Sequence, residues 1–257
     1  MNLPGEYVVK QIAAAQQLLD DYTPSVDKEL LHQLRVALKK VKAVIELLQA
    51  VHPGKHKKLK HLLKQLFSNA GVIREMQLRV SWLQKHRCAA IIEATLLQIK
   101  LTEEEELFAA QKSDWQKSLG KLKTKLKKQT ASIDQQQILN YTSALKETIV
   151  KERSSVTTAD WHLYRKQLKQ LLYTQHWLKE GDRLKLLPVQ TCKRLDRLQD
   201  TIGLWHDAEE RLQKMEHELL YLHPDEKVRR QFARCRLQLQ QEIIQHEKAA
   251  KQLMIRS

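Results

Sequence analysis

Glycine and proline are scarce in this chain, six and five residues in 257. Tight turns lean on those two residue types, so a fold of many short strands is excluded in favour of a few long elements. Aromatic residues make up only 5%, too few for the stacking platforms that hold single-stranded nucleic acid. The five tryptophans, Trp82, Trp115, Trp161, Trp177 and Trp205, read as packing residues instead. The three cysteines are Cys88, Cys192 and Cys235, an odd number with no CxxC spacing. Neither a disulfide framework nor a zinc knuckle is expected from them. No apolar run approaches the ~18 residues of a membrane span. Met1 to Tyr22 is interrupted by charge and lacks the apolar stretch of a signal peptide. The expectation is a cytoplasmic protein with no membrane partner.

What the chain does contain is leucine, glutamine, lysine, alanine and glutamate, all good helix formers. With 42% apolar and 29% charged residues the composition is globular, and the fold class expected is all-α. The formal net charge is +15, an excess that favours anionic partners. It is unevenly spread. Residues 1–100 carry 16 basic and 8 acidic groups, residues 101–150 carry 8 and 7, and residues 151–257 carry 21 and 15. Two basic segments flank a nearly neutral middle.

Breakers divide the chain into helical segments. A first helix is expected from about Glu6 to Asp21. Thr23-Pro24-Ser25 ends it and supplies the N-cap of a second, reaching about Val51. His52-Pro53-Gly54 reads as a turn. A third helix runs from Lys55 to about Asn69, and Gly71 breaks it from a fourth that passes Arg74 to about Lys85. Thr102 with Glu105 reads as a capping box, and the middle as long polar helices around Ser132. Further on, a helix from about Ala159 to Lys179 closes at Gly181-Asp182. Another ends near Ile202 with Gly203 as breaker, the next spans Trp205 to Tyr221 and stops at His223-Pro224, and a last one fills Asp225 to Ile255.

The second basic segment repeats the plan of the first. His32, Arg35, Leu38 and Lys39 match His162, Arg165, Leu168 and Lys169 at an offset of 130. Gly71 and Glu75 match Gly203 and Asp207 at 132. The repeats are placed at approximately 1–128 and 129–257.

Helical phase organises the charge. At 100° per residue, His32, Arg35, Lys39 and Lys42 fall within an arc of about 80°, opposite Leu34, Leu38, Val41, Ile45 and Leu48. His162, Arg165, Lys166, Lys169 and Tyr173 fall within about 100°, opposite Leu168, Leu171 and Leu178. Lys57, Lys60, His61 and Lys64 share a face, and so do Lys193 and Arg197. Solvated helix faces usually mix signs, because Glu–Lys pairs four apart stabilise them. These stripes hold almost no carboxylate; Glu46 and Asp200 lie at their ends. The run Lys121 to Lys128, by contrast, reads as a solvated face, since Glu103 to Glu106 lie in the same neutral region.

Catalytic patterns are missing. There is no HExxH, no close His/Asp cluster with ligand spacing and no GxxxxGK[ST]. A binding protein without metal or cofactor is expected, not an enzyme. Nucleic acid is disfavoured as a specific partner, since no helix-turn-helix or RNP pattern accompanies the charge. A nucleic-acid-binding helical protein and an accessory enzyme acting on phosphate polymers or nucleotides are the competing readings.

The run His32-x-x-Arg35-x-x-x-Lys39-Lys40-x-Lys42 resembles the opening of a CHAD domain, the conserved histidine α-helical domain. His162-x-x-Arg165-Lys166-x-x-Lys169-x-x-x-Tyr173 resembles the opening of its second half. Leu198-Gln199-Asp200-x-x-Gly203-x-x-His206-Asp207 is similar to a further signature, and Arg74-Glu75 stands where the first half usually has Arg-Asp. The resemblance covers nearly the whole chain. It implies two pseudo-symmetric antiparallel four-helix bundles with a basic central cavity, binding of inorganic polyphosphate and association with polyphosphate granules. Lysine often stands where relatives have arginine, giving point charges in place of forked contacts. The site expected comprises His32, Arg35, Lys39 and Lys42 with His162, Arg165, Lys166 and Lys169, supported by Lys57, Lys60, His61, Arg74, Lys193 and Arg197. The Arg side chains would fork onto phosphate oxygens, Lys would neutralise charge, and the histidines would donate when protonated.

Overall fold

A computed structural model describes residues 3–24, 28–54, 57–85, 92–219 and 226–256. Among them the structure is ten α-helices and one short 3-10 turn, with no strand: α1 Leu3–Asp21, α2 Lys28–Val51, α3 Lys57–Lys85, α4 Ile92–Ala110, α5 Lys112–Thr130, α6 Gln135–Glu152, α7 Trp161–Thr174, α8 Glu180–Leu186, α9 Val189–Leu219 and α10 Glu226–Arg256. The all-α expectation holds. No helix among the described residues is long and apolar enough to cross a membrane.

The chain divides into two compact units. Of the described residues, the first unit takes those within Met1–Lys85, Ile92–Tyr141 and His176–Leu178, and the second those within Thr142–Gln175 and Lys179–Ser257.

In the first unit α1 packs on α2 and α5, α2 on α3, and α3 on α4. Val8, Ile12, Ala15 and Leu19 form a fully buried stripe on α1, spaced three and four apart as an amphipathic helix requires. Leu34, Leu38, Val41, Ile45 and Leu48 of α2 are buried against it, as the sequence phase predicts. The C-terminal carbonyls of α1, left orphaned by helix geometry, are met by Lys112, whose Nζ donates to the carbonyls of Asp20 (2.8 Å) and Tyr22 (3.0 Å). Burial pushes the Tyr22 hydroxyl well above its ordinary pKa, and Glu105 adds to the shift. Trp177, fully buried, meets Tyr7 edge-on at 6.0 Å, while His176 stacks on Tyr7 at 5.6 Å. These rings account for the place of residues 176–178 in this unit.

In the second unit α9 packs on α7 and α10. Its core joins Trp161, Tyr164, Leu168 and Leu171 of α7 to Leu198, Ile202 and Trp205 of α9, Ile149 of α6, and Ala250 and Met254 of α10. Trp161 and Trp205 meet edge-to-face at 4.9 Å. Burial lifts the Tyr164 hydroxyl to about 12, and that hydroxyl donates to the carbonyl of Ile149 at 3.4 Å. All five tryptophans are buried, as packing residues should be.

Several breakers expected from the sequence do not break. Gly71 lies inside the 29-residue α3 and Gly203 inside the 31-residue α9; both serve a close side-chain approach described below. Thr102 is interior to α4, where its hydroxyl donates to the carbonyl of Gln98 at 3.1 Å. Its supposed partner Glu105 is buried and accepts from Gln77 Nε2 at 2.8 Å. The capping box stands elsewhere: Asp134 Oδ1 accepts from the Gln137 N–H (2.8 Å) and Gln137 Oε1 from the Asp134 N–H (3.0 Å), opening α6. Gly181-Asp182 does not close a helix but sits in the first turn of α8, where Glu180 and Asp182 suit the positive end of the helix dipole. The helix expected to reach Lys179 stops at Thr174, because the following segment turns to bury Trp177. The turn at 52–54 is as expected, with Gly54 at φ +88°.

Cys192 is a free thiol, but Cys235 is buried and disulfide-bonded. Three cysteines with no CxxC spacing gave no sign of that bond in the sequence. Ser25 as N-cap, the start at Lys55, Cys88, the helix end at Tyr221, the stop at His223-Pro224 and the start at Asp225 fall outside the described residues, as do the side chains of Lys57 and Leu62.

Candidate functional site

The centre of each candidate site is an arginine laid across a glycine of the neighbouring helix. In the first unit Arg35 of α2 reaches α3, and its Nη1 donates to the carbonyl of Phe67 at 2.8 Å. In an α-helix that carbonyl already accepts from the N–H four residues on, residue 71. A carbonyl oxygen has two lone pairs, so the arginine takes the second, and must pass close over residue 71 to do so. A Cβ there would lie 2.4 Å from Arg35 Nη1. Glycine leaves the room. The guanidinium also lies 4.2 Å from the centroid of the Phe67 ring, a cation–π contact.

The second unit repeats this arrangement. Arg165 Nε donates to the carbonyl of Gln199 at 2.9 Å, again four residues before a glycine. A Cβ on Gly203 would lie 2.4 Å from Nη2, 2.8 Å from Cζ and 2.9 Å from Nε. Arginine, carbonyl and glycine thus recur at 35, 67 and 71 and at 165, 199 and 203. One hydrogen bond to a carbonyl fixes each guanidinium and leaves its other N–H groups uncommitted among the described residues. That is the condition for a preorganised oxyanion contact.

The surroundings of the two arginines differ. On α3, the face carrying Gly71 also carries Lys60, Lys64 and Arg74, all within an arc of about 80°. Lys60 and Arg74 are half-buried and Lys64 is exposed. Burial, and then the neighbouring Arg74, lower the pKa of Arg35, so two fixed positive charges stand together here. His61 is exposed and lies toward the flank. His32 and Lys42 are exposed on the outer stripe of α2, with Lys39 half-buried between them. Lys42 pairs with Glu46 at 3.5 Å, an ordinary contact between residues four apart.

On α9, the face carrying Gly203 presents Cys192, Asp196, Gln199, His206 and Asp207. The stripe of α7 is free of carboxylate in itself, but α9 supplies what it lacks. Lys169 has its pKa lowered by burial and then by Arg165, against the opposing pull of Asp200, Asp196 and Asp207. Gln199 Nε2 bridges Asp196 (2.9 Å) and Asp200 (2.7 Å). The stripe itself holds no acid, as its phase predicts, and tertiary packing brings three aspartates of α9 to Lys169. His162 stands 4.6 Å from His206, ring centre to ring centre. Its pKa is lowered by burial, then by Lys166, His206 and Arg165. Lys166 is exposed. Lys193 and Arg197 are exposed on the flank of α9, turned by about 80° and 120° from Gly203, and so stand apart from the Arg165 group. Burial raises the Cys192 thiol above its ordinary value, the opposite of an activated nucleophile.

The structure thus brings Arg35 and Arg74 together in one unit, and Arg165, Lys169 and His162 in the other. His206, Asp196 and Asp207 belong to that second group although they were not expected there. The signal was present in Gln199-x-x-x-Gly203 matching Phe67-x-x-x-Gly71, each with an arginine at an HxxR position upstream.

Comparison with known proteins bears on the fold and the family. No curated protein matches the chain. Among solved structures, the crystal structure of the CHAD domain from the plant Ricinus communis is similar over 98% of this chain and 90% of that one, with a TM-score of 0.74 at 17% identity. The family model of the CHAD domain matches residues 6–216, most of the chain, and the protein belongs to the CHAD domain family.

Proposed function

We propose that this protein is a non-catalytic binder of inorganic polyphosphate. The carrying observation is the Arg35 guanidinium, held by a backbone carbonyl beside Arg74 on a lysine-rich helix face. A chain of phosphates has no bases to read, so its recognition asks for spaced cations and fixed donors without stacking surfaces. The α2–α3 face offers these, and the α7–α9 face adds Arg165, Lys166 and His162. A partner of this kind is consistent with delivery to polyphosphate granules.

Titration of the protein with polyphosphates of several lengths tests the reading, with binding expected to weaken steeply as salt concentration rises, because binding releases counterions from the phosphates. The variant Arg35→Ala/Lys39→Ala/Arg165→Ala/Lys169→Ala, shown to stay helical by circular dichroism, should lose most of that affinity. Unchanged binding removes the site assignment. Release of orthophosphate on incubation, abolished by His32→Ala, would replace a binder with an enzyme. Displacement of long-chain polyphosphate by duplex DNA at equal phosphate concentration would favour nucleic acid.

A further inference from the structure

The helix α5 carries a second cationic surface that the site above does not use. Its buried side is Trp115, Leu119, Leu122, Leu126 and Thr130. Directly opposite, Lys117, Lys121, Lys125 and Lys128 are all exposed and fall within an arc of about 80°. The row extends roughly 16 Å along the helix. The neutral average of this region came from Glu103 to Glu106, which belong to α4, and Glu105 among them is buried against Gln77. From Trp115 to Ile133 the sequence has no acidic residue.

On α10, by contrast, several cations pair with carboxylates. Arg230 pairs with Glu226, Lys251 with Glu247, and Arg236 with Glu216. On α5 the pairing stops at Lys117, which lies 3.5 Å from Asp114. Among the described residues no carboxylate pairs with Lys121, Lys125 or Lys128. Like charges three and four apart weaken a helix slightly. Lys128, in the last turn, recovers some of that from the helix dipole; Lys117, Lys121 and Lys125 lie too far from the end to do so. A linear anion lying along the row would remove the repulsion for all four.

We propose that the outer face of α5 is a second track for polyphosphate, engaged by chains long enough to reach beyond the arginine site. This rests on the polyphosphate reading above and adds where a long chain continues. The face has no exposed aromatic or large apolar side chain to insert into a bilayer or stack on a base. It has no arginine fork for a single phosphate. Lysine point charges in a line suit a flexible polyanion held by charge density.

The test compares the parent with Lys117→Gln/Lys121→Gln/Lys125→Gln/Lys128→Gln, using tripolyphosphate and long-chain polyphosphate. Glutamine matches lysine in helix propensity, and the side chains replaced are solvent-facing. Tripolyphosphate binding should be unchanged. The long-chain salt slope should fall by about three, at ~0.7 per lost cation, so the parent loses roughly 50-fold more affinity than the variant between 50 and 200 mM salt. The same four positions as arginine should restore long-chain binding.

Unchanged long-chain affinity and slope overturn the proposal, as does an equal loss for tripolyphosphate. An equal loss from Arg229→Gln/Arg234→Gln/Lys248→Gln/Lys251→Gln on α10 would reduce it to a general field effect and overturn it too. Selective loss of duplex DNA or anionic-vesicle binding, with long-chain polyphosphate retained, would assign the row to that other partner. A parent that binds no polyphosphate of either length defeats the functional reading itself, a result distinct from any difference between parent and variant.

Discussion

The two units share a scaffold and differ in the charge mounted on it. Arginine, carbonyl and glycine occupy matching places in α2–α3 and α7–α9. At the offset of 132 that carries Gly71 onto Gly203, Lys60 becomes Cys192, Lys64 becomes Asp196, Ser68 becomes Asp200, and Arg74 becomes His206. One arginine therefore stands among fixed cations, the other among carboxylates and a titratable ring. The hydrogen bond that positions each guanidinium asks only for a glycine and a backbone oxygen, so the facing charges are free to diverge without disturbing it. Position and potential are separate properties of this fold, and the first unit combines a held guanidinium with surrounding cations.

The largest effects should come from exchanging those charges. Lys64→Asp/Arg74→His gives the first unit the second unit's character, and polyphosphate affinity should fall with a salt slope shallower by about two. Asp196→Lys/His206→Arg does the reverse, and affinity should rise with a steeper slope. Titrations at several salt concentrations measure both. If the two exchanges change affinity in the same direction, the contrast between the units does not govern binding.

Replacing the glycines should separate stability from binding. Alanine gains up to ~1 kcal/mol over glycine inside a helix. At Gly71 the clash is with the end of a flexible side chain, so Arg35 swings away and loses a hydrogen bond worth about 1–2 kcal/mol. The two nearly cancel. Gly71→Ala should keep its denaturant midpoint close to the parent's while losing about tenfold in polyphosphate affinity, the equivalent of ~1.4 kcal/mol. At buried Gly203 three atoms of Arg165 would fall within 3 Å of the added carbon, and crowding of this kind costs about 1–3 kcal/mol. Gly203→Ala should therefore unfold at lower denaturant than Gly71→Ala. Equal midpoints would mean that both arginines relax freely.

The contrast also marks what the sequence could disclose. Periodicity alone found the buried stripe of α2 and the cationic arcs of α2 and α7, because each is a local consequence of helical phase, while the Pro-Gly pair marked the turn at Gly54. Gly71 and Gly203 were misread as breakers because a glycine means either a turn or a close approach, and only the position of a distant arginine decides which. Thr102 and Glu105 have the spacing of a capping box, yet α4 begins ten residues earlier, at Ile92; Asp134-x-x-Gln137 has an equivalent spacing and does cap. The aspartates around Lys169 were invisible to phase, since they sit on another helix and reach the α7 stripe only through packing.

The smallest effect concerns His162, where the second unit's titratable character should be measurable. Its pKa in the folded protein lies below the ordinary value, because burial and the charges of Lys166, His206 and Arg165 all oppose the imidazolium. The unfolded chain, at about 6.5, takes up that proton first. The stability contributed is thus fully present above ~6.5 and is lost as pH falls through the unfolded value toward the folded one. Bound phosphate acts in the opposite sense by favouring the charged ring, so binding should take up a proton and tighten over the same window. Lowering the pH should therefore reduce the melting temperature of the protein alone and strengthen its complex with polyphosphate. His162→Gln should flatten both dependences while leaving binding near neutral pH little changed. Were the variant to keep the parent's pH dependence of affinity, the proton would have to be taken up at another group, and the histidine pair would be a packing feature of the second unit alone.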